Sequence, residues 1–126
     1  MAGLPLARAQ AIANSEMGVS PAATRILRLY SVAPTTTTAG TEISGSGYAA
    51  QTIVLGTADS TGTCNQTADI NFPAATATWP NIVAWAITDN AGTTMFTFST
   101  FGSLPVVTGS IVQFLIATNP IAVQYS

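Results

Sequence analysis

This chain has no lysine, no histidine and a single cysteine. Three arginines and five carboxylates supply all of its side-chain charge, 6% of the residues, where an ordinary soluble domain carries about 25%. Each absence excludes a chemistry. Without histidine and with one thiol there is no ligand set for zinc, and a nucleophilic cysteine would have no imidazole base. Cys64, in the turn-like run Ser60-Thr61-Gly62-Thr63-Cys64-Asn65, therefore reads as a free thiol in a loop. Arg8, Arg25 and Arg28 are too few and too scattered to form the basic stripe that phosphate neutralisation needs, so no nucleic-acid partner is expected. The mean hydropathy is positive, +0.42, yet no apolar run approaches the roughly 20 residues of a membrane-spanning helix. Residues 1–14 lack a basic leading segment and carry Arg8 where the apolar stretch of a signal peptide would lie, so the chain is expected to be made and kept in a cytoplasm.

The remaining carboxylates do not assemble into a site. A glycosidase-like pair would need two of Glu16, Glu42, Asp59, Asp69 and Asp89 to face one another. Asp59 and Asp89 fall in turn-like stretches, where aspartate bonds its own backbone, and Asp69 falls on the polar phase of a strand. No dense Asp/Asn loop suggests calcium. The run Gly45-Ser46-Gly47 is followed by neither a lysine nor a helix signal, so it is not a phosphate loop. No enzyme, metal or cofactor is expected.

What the chain does have is threonine, serine, asparagine and glutamine in place of charge, and 48% hydrophobic residues. A surface with so little charge is poorly suited to staying dispersed and well suited to being covered by neighbours. The pattern begins with a short helix: Pro5 at a first helical position, Leu6, Ala9, Ile12 and Ala13 on one face, and Gly18 as a stop. After Pro21 the periodicity is that of strands. Candidates lie at residues 24–32, 48–55, 68–72, 82–88, 94–101, 111–116 and 121–125, separated by turn-forming runs; residues 82–88 are apolar on both faces and read as a central strand. Asp89-Asn90-Ala91-Gly92 signals a hairpin, whereas Leu104-Pro105 reads as a break. The expected fold is mainly β, an antiparallel β-sandwich or barrel of about eight strands, with residues 1–22 as an N-terminal arm and short helix and residues 23–126 as one β-sandwich domain.

Several blocks, in order, carry a resemblance over nearly the whole chain. They are Pro21-Ala22-Ala23-Thr24 leading into Leu27-Arg28-Leu29-Tyr30, the segment from Gly40 to Ala49, Ala68-Asp69-Ile70-Asn71-Phe72-Pro73 followed by Trp79, Trp85-Ala86-Ile87-Thr88-Asp89, and Val107 to Phe114. Their succession resembles a family of small virion proteins of tailed bacteriophages, often labelled phage tail fibre proteins. The resemblance implies a structural virion component and supplies no catalytic residues.

Within that class the size and the neutral surface favour a capsid decoration, or cement, protein that oligomerises and contacts the major capsid protein. A tail-fibre or tail-tip subunit contacting tail proteins is the alternative, and a lectin-like module that stacks host glycan on Trp79 or Tyr30 is a third reading. Leu4, Leu6, Ile12 and Met17 are the candidate clamp on a neighbour. Gly45 and Gly47 allow positive φ in a tight loop, and Tyr48 is expected to lock that loop by burying its ring and offering its hydroxyl to the loop backbone.

Overall fold

Two long strands, each paired to a partner along most of its length, organise the molecule. In the computed structural model, which describes residues 5–118 and 120–124, strand β1 (Arg25–Val32) and strand β6 (Trp79–Thr88) run antiparallel at the centre of a five-stranded sheet. Strand β7 (Met95–Val106) pairs with the far side of β6 and forms one margin of that sheet. The other margin is shared: β3 (Gln51–Ile53) pairs with the first half of β1 and β2 (Thr41–Glu42) with the second half. Two short antiparallel ladders face this sheet. One joins β4 (Thr63–Asn65) to β9 (Ala122–Gln124), the other β5 (Ile70–Asn71) to β8 (Gln113–Phe114). The result is an antiparallel β-sandwich with nine strands and one helix, α1 (Leu6–Glu16), among the described residues.

The core follows from alternation. Leu27 and Leu29 on β1 and Ile87 on β6 point from the large sheet onto Phe72, Ile70, Val112, Ile121 and Val123 of the opposite layer, all of them buried. Each such side chain contributes about 1.5–3 kcal/mol on burial. The reverse face of β1 and β6 holds a smaller cluster of Tyr30, Ala84 and Ala86, against which Phe98 packs. Coverage on both faces explains why residues 82–87 are apolar throughout. Gln66 is the buried polar tie between ladders. Its amide nitrogen donates to the carbonyls of Ala68 and Phe114, and its amide oxygen accepts from the Ile121 N–H.

Helix α1 docks on the body through small residues. Ala9, Ala13 and Met17 face inward, Asn14 Oδ1 accepts from the Ala58 N–H at 2.7 Å, and Gln10 donates to the Asp59 carbonyl. The helix C-terminus is satisfied by Arg25, whose Nε donates to the Glu16 carbonyl at 2.6 Å and whose guanidinium reaches the Ser15 carbonyl. A cation at that end also complements the helix dipole. The same guanidinium lies 3.9 Å from the centroid of the Phe96 ring, so one side chain joins α1, β1 and β7.

Four expectations are corrected here. Cys64 is not in a loop: it is the central residue of β4, fully buried. Leu104-Pro105 is not a break: β7 continues to Val106. β6 likewise begins before residue 82, with Pro80 inside it. Proline is tolerated at sheet margins and bulges, where its missing N–H is not needed, and the β6–β7 register shifts between Trp79 and Ile82 and again between Ile82 and Ala84. The strand expected over residues 48–55 contracts to Gln51–Ile53 plus an isolated bridge from Leu55 to Gln66.

Candidate interaction surface

The loop singled out in the sequence is held by a different side chain from the one expected. Gly45, Ser46 and Gly47 all have positive φ, at 70°, 53° and 86°. Gly47 is also crowded: a Cβ there would sit 2.9 Å from the Ala74 carbonyl oxygen. Tyr48 does bury its ring, stacked on Phe72 with centroids 6.0 Å apart and edge-on to Trp79 at 5.6 Å. Its hydroxyl, however, leaves the loop. It accepts from the Leu29 N–H at 3.1 Å and donates to Glu42 Oε2 at 2.7 Å. Burial holds the phenol well above its ordinary pKa, so it stays protonated and keeps that donor. The loop itself is held by Trp79, whose Nε1–H donates to the Ser46 carbonyl at 2.8 Å, and by the Thr76 N–H, which donates to the same oxygen.

Six charged side chains are engaged by the fold: Arg25 at the helix end, Arg28, Glu42, Asp59, Asp69 and Asp89. Glu42 also pairs with Arg28 at 3.2 Å, and Arg28 Nε donates to Thr88 Oγ1. Asp89 accepts from the Thr93 and Thr94 N–H groups and from the Thr93 hydroxyl. Asp59 does the same for Thr61 and Thr63, and Asp69 accepts from the Ile116 N–H. These bonds hold Asp59 and Asp89 below the usual carboxylate range, the Thr61 and Thr93 side chains being the leading causes. Burial, with Asp59 nearby, pushes the Cys64 thiol up, away from the reactive thiolate. Among the described residues no cluster of His, Cys, Asp or Glu could hold a metal ion. No helix among them is long and apolar enough to cross a membrane.

The four residues expected to clamp a neighbour are separated by the structure. Leu4 lies outside the described residues. Leu6 is 49% exposed and Ile12 is half-buried. Met17 is 2% exposed and belongs to the domain's own core. Its reading as a clamp is corrected, because the position one turn beyond Ala13 falls on the docked face of the helix. The two aromatic rings considered for glycan stacking are also covered, Trp79 at 2% and Tyr30 at 5% exposure.

The exposed apolar surface lies elsewhere, along β7 and the segment that follows it. From Ser99 to Pro105 every residue of β7 is exposed, and among the described residues the strand pairs with β6 alone. Phe101, Leu104, Val107, Ile111 and Ile116 are between 36% and 57% exposed. Two adjoining depressions, of about 520 and 230 Å³, both border Leu104, Val112 and Gln113; the smaller reaches in to Trp85 and Phe114. The sequence pattern does not reveal this margin, because it ends the strand at Phe101 and reads Leu104-Pro105 as a break. One signal was present: no charged residue occurs after Asp89.

A family model described as Gp80, Podophage GP4 fiber I protein gp80, matches residues 8–121. The match spans the helix, both layers of the sandwich and the β7 margin. Neither the curated proteins nor the solved structures contain a match.

Proposed function

Because this chain belongs to the podophage GP4 fiber I protein gp80 family, we propose that it is a non-enzymatic building block of a fibre on a podophage particle, made in the host cytoplasm and fixed in the virion by contacts with further copies and with tail proteins. The observation that carries the reading is the family match over residues 8–121. The exposed β7 margin supports it, since a contiguous apolar surface of this kind marks a contact with another protein. Six of the charged side chains, Arg25, Arg28, Glu42, Asp59, Asp69 and Asp89, are occupied within the fold.

The fibre reading displaces the capsid-cement reading. Cement was favoured on chain size and scarcity of charge, and both describe a fibre subunit equally well. The test is location and stoichiometry on purified particles. Gold-labelled antibody against the chain should decorate fibres, and quantitative mass spectrometry should find far fewer copies than of the major capsid protein. Uniform labelling of the shell, with a copy number comparable to the capsid protein, would restore the cement role.

A further inference from the structure

We propose that the outer face of the large sheet carries a binding site for a neutral saccharide, in a double hollow between the loop of residues 35–38 and the start of β7. The site follows from cross-strand register. Arg28, Ala86 and Phe98 lie side by side across β1, β6 and β7, and Tyr30 pairs with Ala84. Tyr30, Ala84 and Ala86 form a buried floor, with Phe98 packed against it. Two adjoining hollows, of about 490 and 280 Å³, border this floor and share Tyr30, Ala39 and Gly92. The larger lies within the roughly 300–1,000 Å³ of small-molecule sites. Thr35, Thr36, Thr37 and Thr38 wall it on one side, Phe96 and Phe98 on the other. The smaller hollow ends on Arg28 and Glu42.

The lining selects the ligand. Among the described residues, Arg28 and Glu42 are the only charged side chains that border either hollow, and they pair with each other at 19% and 29% exposure. Their charges cancel, so neither an anion nor a cation finds a free counter-charge. Side by side they offer a donor and an acceptor, which neighbouring hydroxyls of a sugar ring complement. Glu42 Oε1 accepts from Arg28 Nη1 at 3.3 Å and retains a lone pair for a ligand hydroxyl. Gly92 keeps the approach open, because a Cβ there would lie 3.0 Å from Arg28 Nη2. Threonine hydroxyls both donate and accept, and Phe98 supplies apolar surface for the carbon side of the ring. Tyr30 is floor, not a stacking platform. The walls are set before a ligand arrives. The N–H groups of Thr37 and Thr38 donate to Thr35 Oγ1, the Thr35 N–H donates to the Thr38 carbonyl, and Asp89 holds Thr93 opposite. A preformed site is spared the cost of ordering its loops. The hollow lies on the face of the sheet and not at its edge, so an added peptide strand finds no backbone ladder to extend there.

This site is independent of the fibre reading, and its test uses the whole chain in solution. Backbone amide NMR spectra are followed while galactose, N-acetylglucosamine or rhamnose is added, with N-acetylneuraminic acid as the charged comparison. At least one neutral sugar should give saturable shifts confined to residues 28–42 and 92–98, with a dissociation constant of about 1 mM or below. Ala39→Trp, at an exposed position shared by both hollows, fills them and should abolish the shifts with the thermal melt retained. Thr36→Val removes one hydroxyl from the wall and should weaken binding about 2- to 10-fold; it carries the test should Ala39→Trp lower the melt. Leu104→Ser, on the β7 margin, should leave binding unchanged. The proposal is overturned by the absence of saturable shifts with all three neutral sugars, by shifts centred on other residues, or by binding that survives in a folded Ala39→Trp protein. Tighter binding of the acidic sugar than of any neutral one also overturns it, because the Arg28–Glu42 pair would then not be the selecting feature.

Discussion

Tyr48 connects three parts of the molecule through one side chain. Its ring fills the space between Phe72 and Trp79, and its hydroxyl bridges the Leu29 N–H of β1 and the Glu42 carboxylate of β2. Replacing it with phenylalanine keeps the ring and removes only the oxygen. The Leu29 N–H then lacks an acceptor beside a buried core residue, and Glu42 keeps only Arg28. Leaving such a group unpaired costs about 1–3 kcal/mol, so Tyr48→Phe should lower the unfolding free energy by that amount, read as a lower urea midpoint at an unchanged slope. An unaltered midpoint would show that water replaces the hydroxyl at no cost. The sequence identified Tyr48 as a locking residue but mistook what it locks. The neighbours it bonds lie 19 and 6 residues away along the chain, and only the pairing of β1 with β2 brings them together. Trp79, which does hold the glycine loop, carries no local signal for that role, because its partner Ser46 is 33 residues distant.

At the scale of elements, the junction between α1 and β1 is a tightly constrained turn. Gly18 has φ of 71°, and a Cβ there would lie 2.4 Å from the Ala23 carbonyl oxygen. Gly45 has nearly the same φ, 70°, with nothing within 4 Å of its would-be Cβ. The two glycines therefore separate conformational strain from collision. Left-handed geometry alone costs an alanine about 1–2 kcal/mol. Gly45→Ala should fall in that range by thermal or chemical unfolding, and Gly18→Ala should cost clearly more, because the Ala23 backbone and the Arg25 cap beside it must also shift. Equal costs would mean that the junction relaxes freely and that Arg25 does not fix it. The helix, its glycine stop and most strands were legible because they depend on local periodicity and turn chemistry. The course of β7 through Pro105 and the burial of Cys64 were not, because each is decided by what lies across the sheet: a shifted register beside β6 in one case, the β9 partner strand in the other.

For the whole molecule, the distribution of charge matters more than its sum. Every ionised side chain lies at or before Asp89, so β7, β8, β9 and their connections carry none. If the fibre contacts proposed above run through the β7 margin, apolar burial drives them, and simple salt does not screen that burial. Between about 0.1 M and about 1 M sodium chloride the screening length falls from about 10 Å to about 3 Å. An interface held by ion pairs would loosen markedly over that interval, whereas the dissociation constant of a contact made through the β7 margin should change by less than about two-fold. Ammonium sulfate at matched ionic strength should tighten the complex instead, because excluded salts strengthen the burial of apolar surface. Sedimentation equilibrium across both salts reads the two responses directly. A ten-fold loss of affinity in sodium chloride would place the contact on the charged half of the molecule, at the outer face of α1 or around the Arg28–Glu42 pair.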